Sequence, residues 1–368
     1  MKDLKDYFKQ LDYVLITIAV VLALLGVLMI ASAVRSDEGS RQVLVQALAI
    51  CLGLVGMLFV AAIDYESYTD FAKFIYIGSV LILLFVLLFG EGKDETGANS
   101  WIRLGSIGIQ PSELVKIAFC ITFSIHLSKQ HENVNSPKVL LQLFMHFAVL
   151  TGLVILQNDT GTALVFLFMF LCMLFAAGLS FKYIFAGIGA FVAFAPFAWF
   201  VLMRPYQRER ILVFLNPERD AMGAGYQVLQ SKIAIGSGEF LGRGYMQGPQ
   251  NQLAMLPEKE TDFIYGVFGE EFGFIGCIIV LVLLALLIIR CINIGLRAKN
   301  ELGCFMCIGI ASMFMFHTFE NILMCIGLMP VTGIPLPFLS YGGSSALTNF
   351  LAVGLVLSVW SRRRVLRF

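Results

Sequence analysis

Four groups of ionisable residues in this 368-residue chain lie inside or beside strongly apolar sequence, where charge is costly and tends to mark function. Glu113 and Lys116, three residues apart, share one face of a helix within pairing reach. They read either as a self-neutralised ion pair or as the polar wall of a substrate cavity. Asp159, in Gln157-Asn158-Asp159-Thr160-Gly161-Thr162, has the form of a helix cap, a role that can coexist with function. The stretch Leu256-Pro257-Glu258-Lys259-Glu260-Thr261-Asp262-Phe263 returns the chain to an apolar run with three carboxylates in five residues. Asp262, the last of them, is placed to be partly desolvated, which suits a general base held close to water. A helix cap or an interfacial acid is the alternative reading of that position. Glu270 and Glu271 follow two turns later. As neighbours on a continuous helix they face different ways, so at least one requires a polar cavity or a cationic partner.

Other chemistries find little support. Gly236, Gly238, Gly242 and Gly244 suggest flexible backbone near Lys232 and Arg243, but no dinucleotide or phosphate-loop pattern is matched. Cys304 and Cys307 have redox or metal spacing, yet they sit in an apolar helix with no second pair and no nearby histidine cluster. Most of the eight cysteines lie in apolar runs, where a thiol packs as a small hydrophobe and disulfides are not expected. A net charge of +1 offers no field for nucleic acid.

The elements that position these residues follow from composition. With 58% hydrophobic and 14% charged residues the chain is too apolar for a soluble domain. The expected fold is all-α: a polytopic membrane protein with about ten transmembrane helices, because a spanning segment must satisfy its own backbone hydrogen bonds. Apolar runs place the helices near 13–34, 43–63, 71–90, 111–127, 139–157, 162–178, 183–203, 263–290, 301–328 and 344–361. The first run lacks a small-residue cleavage site and reads as a retained helix. Lys2, Lys5, Lys9, Lys129, Lys138, Lys182, Arg290, Arg297, Lys299, Arg362, Arg363, Arg364 and Arg367 all flank one side under ten crossings, which makes that side, and both termini, cytoplasmic. Residues 1–368 form one membrane domain with no visible internal repeat. Residues 204–262, after seven crossings, form one large extracytoplasmic loop, and a loop of that size is usually functional. Two more external segments carry Trp101 with Arg103, and the Pro330, Pro335, Pro337, Gly342, Gly343 series. Nucleotide-activated donors are scarce outside the cell, so a reaction there needs a donor delivered through the lipid, such as a polyprenyl diphosphate sugar.

Several stretches resemble one family. Gly225-Tyr226-Gln227, Gln230-Ser231-Lys232-Ile233-Ala234-Ile235-Gly236-Ser237-Gly238, Leu256-Pro257-Glu258, Thr261-Asp262-Phe263-Ile264, and Pro330-Val331-Thr332-Gly333-Ile334-Pro335-Leu336-Pro337-Phe338-Leu339-Ser340-Tyr341-Gly342-Gly343-Ser344-Ser345 are similar to the SEDS family (shape, elongation, division and sporulation). Trp101-Ile102-Arg103, Gln110-Pro111-Ser112-Glu113-Leu114-Val115-Lys116 and the Asp159-Gly161-Thr162-Ala163 turn extend the resemblance over nearly the whole chain. Short termini resemble the elongation branch more than the division branch. Two positions depart from the pattern: Asn158, where proline is typical, and Glu320, an extra acid before Asn321.

The resemblance implies a peptidoglycan glycosyltransferase that polymerises lipid II beside a class B penicillin-binding protein and other membrane proteins of the elongation complex. It implies Asp262 as the essential base. It also implies an inverting displacement in which an acceptor 4-hydroxyl attacks the donor's anomeric carbon and undecaprenyl diphosphate departs. Lys116, Arg103, Lys232, Arg210 or a divalent cation (Mg or Mn) are the candidates for balancing the diphosphate charge. Trp101, Asp159, Glu113, Glu258, Ser340 and Ser344 complete the expected cavity. A lipid II flippase using the Glu113–Lys116 pair, or a scaffold for the penicillin-binding protein, are the competing functions.

Overall fold

The computed structural model describes residues 10–34, 37–92, 100–104, 107–220 and 223–363. The expected Lys2, Lys5, Lys9, Arg364 and Arg367 flanks lie outside them. All ten predicted segments are helical: α1 (Tyr13–Ala33), α2 (Asp37–Ala62), α3 (Tyr68–Phe89), α4 (Pro111–Ser128), α5 (Pro137–Leu156), α6 (Thr160–Ala176), α7 (Phe181–Phe197), then α11 (Ile264–Leu296), α12 (Glu301–Cys325) and α13 (Gly343–Ser361). Eight helical stretches are long and apolar enough to cross a membrane. Of the remaining two, α6 is apolar but only 17 residues long. At 1.5 Å per residue it covers about 26 Å, close to the hydrocarbon thickness. In α4 a charged pair interrupts the apolar run, and that helix is almost wholly buried among its neighbours. A short hairpin, β1 (Ile102–Leu104) and β2 (Ile107–Ile109), precedes α4, with Arg103 opposite Gly108.

The helices are ordered by which of them must avoid lipid. With α4, the helices α12 and α13 are the most buried, and α12 packs on α11, α6 and α4 at the centre of the bundle. By contrast, α7 buries none of its residues and turns Phe181, Phe185, Phe191 and Phe194 outward. Outward phenylalanines on a spanning helix face hydrocarbon at no cost. One end of the bundle gathers the basic groups. Arg290 binds the α1 cap residue Asp12, Arg362 pairs with Asp64, and the Arg363 guanidinium stacks on Trp360 at 3.4 Å. The opposite end carries the starts of α4, α6, α11 and α13 and the end of α12.

Residues 204–262, expected as a loop, hold three further helices: α8 (Pro205–Leu215), α9 (Ala224–Ser237) and a single turn α10 (Pro249–Gln252). The glycines expected to confer flexibility do something different. α11 is broken at Gly273 (φ 65, ψ −162), which leaves main-chain groups without helical partners. The segment after α9 fills the break: Arg243 and Gly244 donate to the Glu270 and Glu271 carbonyls at 2.9 and 3.0 Å. In return Phe274 and Ile275 donate to the Glu239 and Phe240 carbonyls at 2.9 and 3.2 Å. A broken helix at membrane depth is tolerated only when its backbone is satisfied in this way. So close an approach leaves no room for side chains, since a β-carbon at Gly238 would overlap the Gly269 carbonyl and one at Gly242 the Glu271 carbonyl.

The expectation that at least one of Glu270 and Glu271 finds polar surroundings is met by both. Both turn to the docked segment. Glu270 accepts the Gln250 and Asn251 amides at 2.7 and 3.0 Å, while Glu271 takes the Asn251 side-chain amide at 2.9 Å and the Ser32 hydroxyl of α1. These carboxylates fasten the 204–262 segment to the bundle. Gly238→Ala is therefore expected to cost about 2 kcal/mol or more, read as a fall in the melting temperature of the detergent-solubilised protein. Gly236→Ala, whose added methyl would meet open space, serves as the control.

Candidate active site

The site is assembled around a polar stripe on α12. His317, Glu320, Asn321 and Cys325 recur at helical spacing in an otherwise apolar helix, and each engages chain entering from outside it. Asn321, fully buried, donates one amide hydrogen to the Asp262 carbonyl at 2.8 Å and the other to the Ile334 carbonyl at 2.9 Å. Cys325 adds a thiol contact to the same Asp262 carbonyl at 3.6 Å. The main chain at Asp262 is thus fixed before any statement about its carboxyl group. From the N-terminal side, the turn Glu258–Phe263 holds it. Phe263 N–H donates to the Glu258 carbonyl at 3.1 Å and Thr261 Oγ1 to the Glu258 carboxylate at 2.9 Å, with Glu258 itself at φ 49.

The Asp262 side chain lies over Gly333, its Oδ2 only 3.4 Å from where a side chain at 333 would begin. Gly333 is left-handed (φ 79), so the turn itself favours glycine. Burial pushes the Asp262 carboxyl from the ordinary 3.8 up to about 7, the neighbouring Glu258 charge adds to the rise, and Arg210 opposes it. Arg210 on α8 lines a cavity of about 10 Å³ together with Val228, Gly327 and the Met329–Val331 segment. The Lys232 side chain of α9 crosses directly over Gly327 (φ 72) in that segment. Arg210 and Lys232 therefore both lie against the 327–331 segment.

A second cluster supports the first. Asp159 caps α6 by accepting from the Thr162 amide at 3.0 Å, and its other oxygen accepts from Gln110 Nε2 at 3.0 Å and Ser112 Oγ at 3.4 Å. Gln110 N–H donates to Ser344 Oγ at 3.2 Å, so the starts of α4, α6 and α13 are joined. Asn158 adopts φ 64, a left-handed conformation that asparagine tolerates and the proline ring forbids. Gly161 packs against Ile334 and the Thr332 carbonyl, which brings the α6 start onto the strip below Asp262. Ser340 is buried, accepting the Leu336 amide at 2.8 Å through its hydroxyl and the Gln46 amide at 3.3 Å through its carbonyl. Both serines act as struts of the fold.

Glu113 and Lys116 are brought together at 2.7 Å, and Lys116 Nζ also lies 2.8 Å from His317 Nε2. An ammonium only donates, so Nε2 is the accepting nitrogen and the His317 Nδ1–H is free to donate to the Pro335 carbonyl at 3.2 Å. The pair is 1% and 4% exposed at its side chains, which removes Lys116 from direct contact with a diphosphate in this conformation. Trp101 packs across Gly108 of the hairpin, and Arg103 beside it is exposed and engaged in contacts of its own. The structure thus unites Asp262, Glu258 and Arg210, puts Lys232 over Gly327, and sets Asp159, Glu113, Lys116, Ser340 and Ser344 behind them. Sequence reasoning missed His317, Asn321 and Thr332. Four polar residues on one face of a spanning helix were the available signal.

No group of three or more His, Cys, Asp or Glu residues is disposed to hold a metal among the described residues.

The sequence profile of the FtsW/RodA/SpoVE cell cycle proteins matches residues 12–365. The chain belongs to this family. The peptidoglycan glycosyltransferase MrdB of Escherichia coli K12 is 38% identical over 360 residues, covering 97% of this chain and 95% of the relative. The probable peptidoglycan glycosyltransferase FtsW of Geobacter metallireducens is 36% identical, covering 99% and 97%. Among solved structures, a chain of a peptidoglycan synthase complex that coordinates polymerization and crosslinking superposes with a TM-score of 0.83 at 30% identity, covering 96% of this chain and 98% of that one. The rod shape determining protein RodA of Thermus thermophilus gives 0.71 at 26% identity, covering 96% and 97%. The fold is accordingly that of a RodA-like multi-pass membrane protein.

Lys116 and Glu113 should be energetically coupled. Lys116→Met alone leaves a buried, unpaired carboxylate and is expected to cost about 3 kcal/mol, whereas the double variant with Glu113→Gln should recover much of that loss. Thermal unfolding of the three variants measures it.

Proposed function

We propose that this chain polymerises lipid II into glycan strands for cell-wall elongation and rod shape, with Asp262 as general base. The observation that carries the reading is the Asp262 carboxyl, fixed at its backbone by Asn321, half-buried, and within the field of Arg210. The identity to glycosyltransferases across the whole chain supports the same substrate. An acceptor sugar hydroxyl is a weak nucleophile, and a carboxylate whose proton affinity is raised toward neutrality is a stronger base than an ordinary aspartate while still ionised at physiological pH. In the proposed step, Asp262 takes the proton of the acceptor GlcNAc 4-hydroxyl as that oxygen bonds to the donor MurNAc anomeric carbon. The bond from that carbon to the undecaprenyl diphosphate breaks, the configuration inverts, and Arg210 and Lys232 meet the departing charge.

Sidedness belongs to the same proposal. An even number of crossings with the basic end in the cytoplasm puts both termini inside and Asp262 outside, where lipid II is delivered. A class B penicillin-binding protein is the proposed partner, with other elongation-complex membrane proteins around it. The Glu113–Lys116 pair that a flippase would need is neutralised internally and closed by His317, which favours the transferase.

Asp262→Asn in the purified complex with its penicillin-binding protein should abolish polymerisation of lipid II while the complex still assembles. Long glycan strands from that variant would refute the base. In the native complex the rate should fall as pH drops through about 7, the side on which Asp262 gains its proton. Stability has the opposite sign. A carboxyl whose folded value is raised binds more protons folded than unfolded between about 3.8 and about 7, so the native protein loses stability as pH rises through that window. Asp262→Asn should escape that loss, measured as a melting temperature at pH 8 no lower than the native one.

A further inference from the structure

The end of the bundle away from Asp262 carries more positive charge than its carboxylates match. Arg290 of α11 donates Nε and Nη2 to Asp12 at 3.1 and 2.5 Å, while Asp12 also caps α1 by accepting the Leu15 amide at 2.8 Å. That carboxylate is buried, so it is occupied and closed to a further cation. Arg362 takes Asp64 at 3.1 Å, and Lys299 takes Glu66 at 3.2 Å. Arg363 and Arg297 are left without an acid among the described residues. The Arg363 guanidinium lies 3.4 Å over the Trp360 ring, with Nη1 donating to the Trp360 carbonyl at 2.9 Å, and the Arg290 guanidinium lies 5.2 Å from the same ring. Arg297, exposed, follows Arg290 by two turns on the same face of α11. Two guanidinium groups thus share one indole, a third follows on the same helix face, and a single carboxylate stands among them. Among the described residues, Nη1 of Arg290, Nε and Nη2 of Arg363 and the whole of the Arg297 side chain make no hydrogen bond.

Orienting a membrane protein needs only basic residues on one side, however scattered. It gives no reason to crowd guanidinium groups around one ring. Burial lowers the proton affinity of Arg363, Asp12 opposes that change, and the charges of Arg290 and Arg297 add to it, so an anion here would relieve a repulsion already present. Planar guanidinium forks with unmatched N–H groups suit a phosphate. The setting decides where that phosphate comes from. Trp360 stands at the end of α13, the level at which tryptophan favours the membrane interface. Val282, Leu286 and Ile289, which lead along α11 from Arg290 toward the middle of the membrane, are exposed. An occupant with a phosphate head and an apolar tail satisfies both surfaces, whereas free phosphate satisfies one. We propose that Arg290, Arg297 and Arg363 around Trp360 form a binding site for the phosphodiester headgroup of an anionic phospholipid whose acyl chains lie along α11. The site stands at the far end of the bundle from Asp262 and is independent of the reaction assigned there. Its residues come from α11 and the end of α13, and Asp12 ties them to the start of α1.

The test is lipid binding by the full-length chain in detergent, read by native mass spectrometry as phosphatidylglycerol, phosphatidylcholine or glycerol 3-phosphate is added. The native chain should retain phosphatidylglycerol about tenfold more tightly than phosphatidylcholine, and glycerol 3-phosphate should not bind at the same concentrations. The double variant Arg297→Gln, Arg363→Gln should weaken phosphatidylglycerol retention about tenfold. Lys129→Gln with Lys138→Gln removes the same charge from the same end of the bundle, at the end of α4 and the start of α5, and should leave retention unchanged. Arg297→Gln alone, at an exposed position, should lose about threefold, and it carries the test if the melting temperature without lipid shows that the double variant does not fold. Equal retention of the two lipids by the native chain overturns the proposal. So does a folded arginine variant that retains phosphatidylglycerol as the native chain does, or a lysine control that loses as much as the double variant. Glycerol 3-phosphate binding as tightly as the lipid overturns it too, since the site would then be one for free anions.

Discussion

Everything at the site end of this bundle depends on where the Asn321 amide can find partners. Buried completely in a spanning helix, it has no water to turn to, and each of its two hydrogens must reach a carbonyl inside the protein. The two it finds belong to Asp262 and Ile334, which are 72 residues apart in sequence and on opposite sides of the hairpin made by α11 and α12. One side chain thereby joins the chain entering α11 to the proline-rich strip leaving α12. His317, one turn below, repeats the device by donating to Pro335 while accepting from Lys116. The strip from Thr332 to Pro335 is consequently a rigid floor on which the Asp262 carboxyl rests. It is not a mobile external loop.

The same economy explains the rest of the polar inventory. Asp12, Glu113, Glu270 and Glu271 are all buried, yet each is spent on holding an element in place: a cap and an arginine for Asp12, a lysine for Glu113, backbone amides and side chains of the docked 250–251 segment for the adjacent pair. Once these are accounted for, the groups near Asp262 stand apart. Lys232 sits on α9, the helix packed against the broken α11, and Arg210 sits on α8, which packs in turn on α9. The base proposed at Asp262 needs both a rigid backbone and a neighbouring cation, and Asn321 and Arg210, which supply them, come from different parts of the chain.

Much of the architecture was legible because apolar length is a strong signal. All ten predicted segments are helical where hydropathy puts them, and their ends are marked by residues with evident local roles, such as Asp12, Asp159 and Asn300 as caps. The helices within 204–262 were not legible, since α8 and α9 are mixed in polarity and are stabilised by docking on the bundle. The break in α11 was hidden for a related reason: a glycine in an apolar run reads as helix, and only the segment 239–244 that pairs with it reveals otherwise. At the site, Asp262 and the Glu113–Lys116 pair stood out as charges in apolar surroundings. Asn321 and Thr332 did not, because their partners are main-chain atoms and a neighbouring acid that only the fold brings near.

The central claim is that the Asp262 carboxyl meets the acceptor sugar alcohol at the outer rim of the bundle. The most direct measurement is a structure of the Asp262→Asn protein, in complex with its penicillin-binding protein, trapped with lipid II. The account requires the residue 262 side chain to lie within hydrogen-bond distance of a GlcNAc 4-hydroxyl, with the diphosphate of a second lipid beside Arg210 and Lys232. A substrate bound with that hydroxyl against another group, and residue 262 turned toward lipid or the cytoplasmic end, would contradict it.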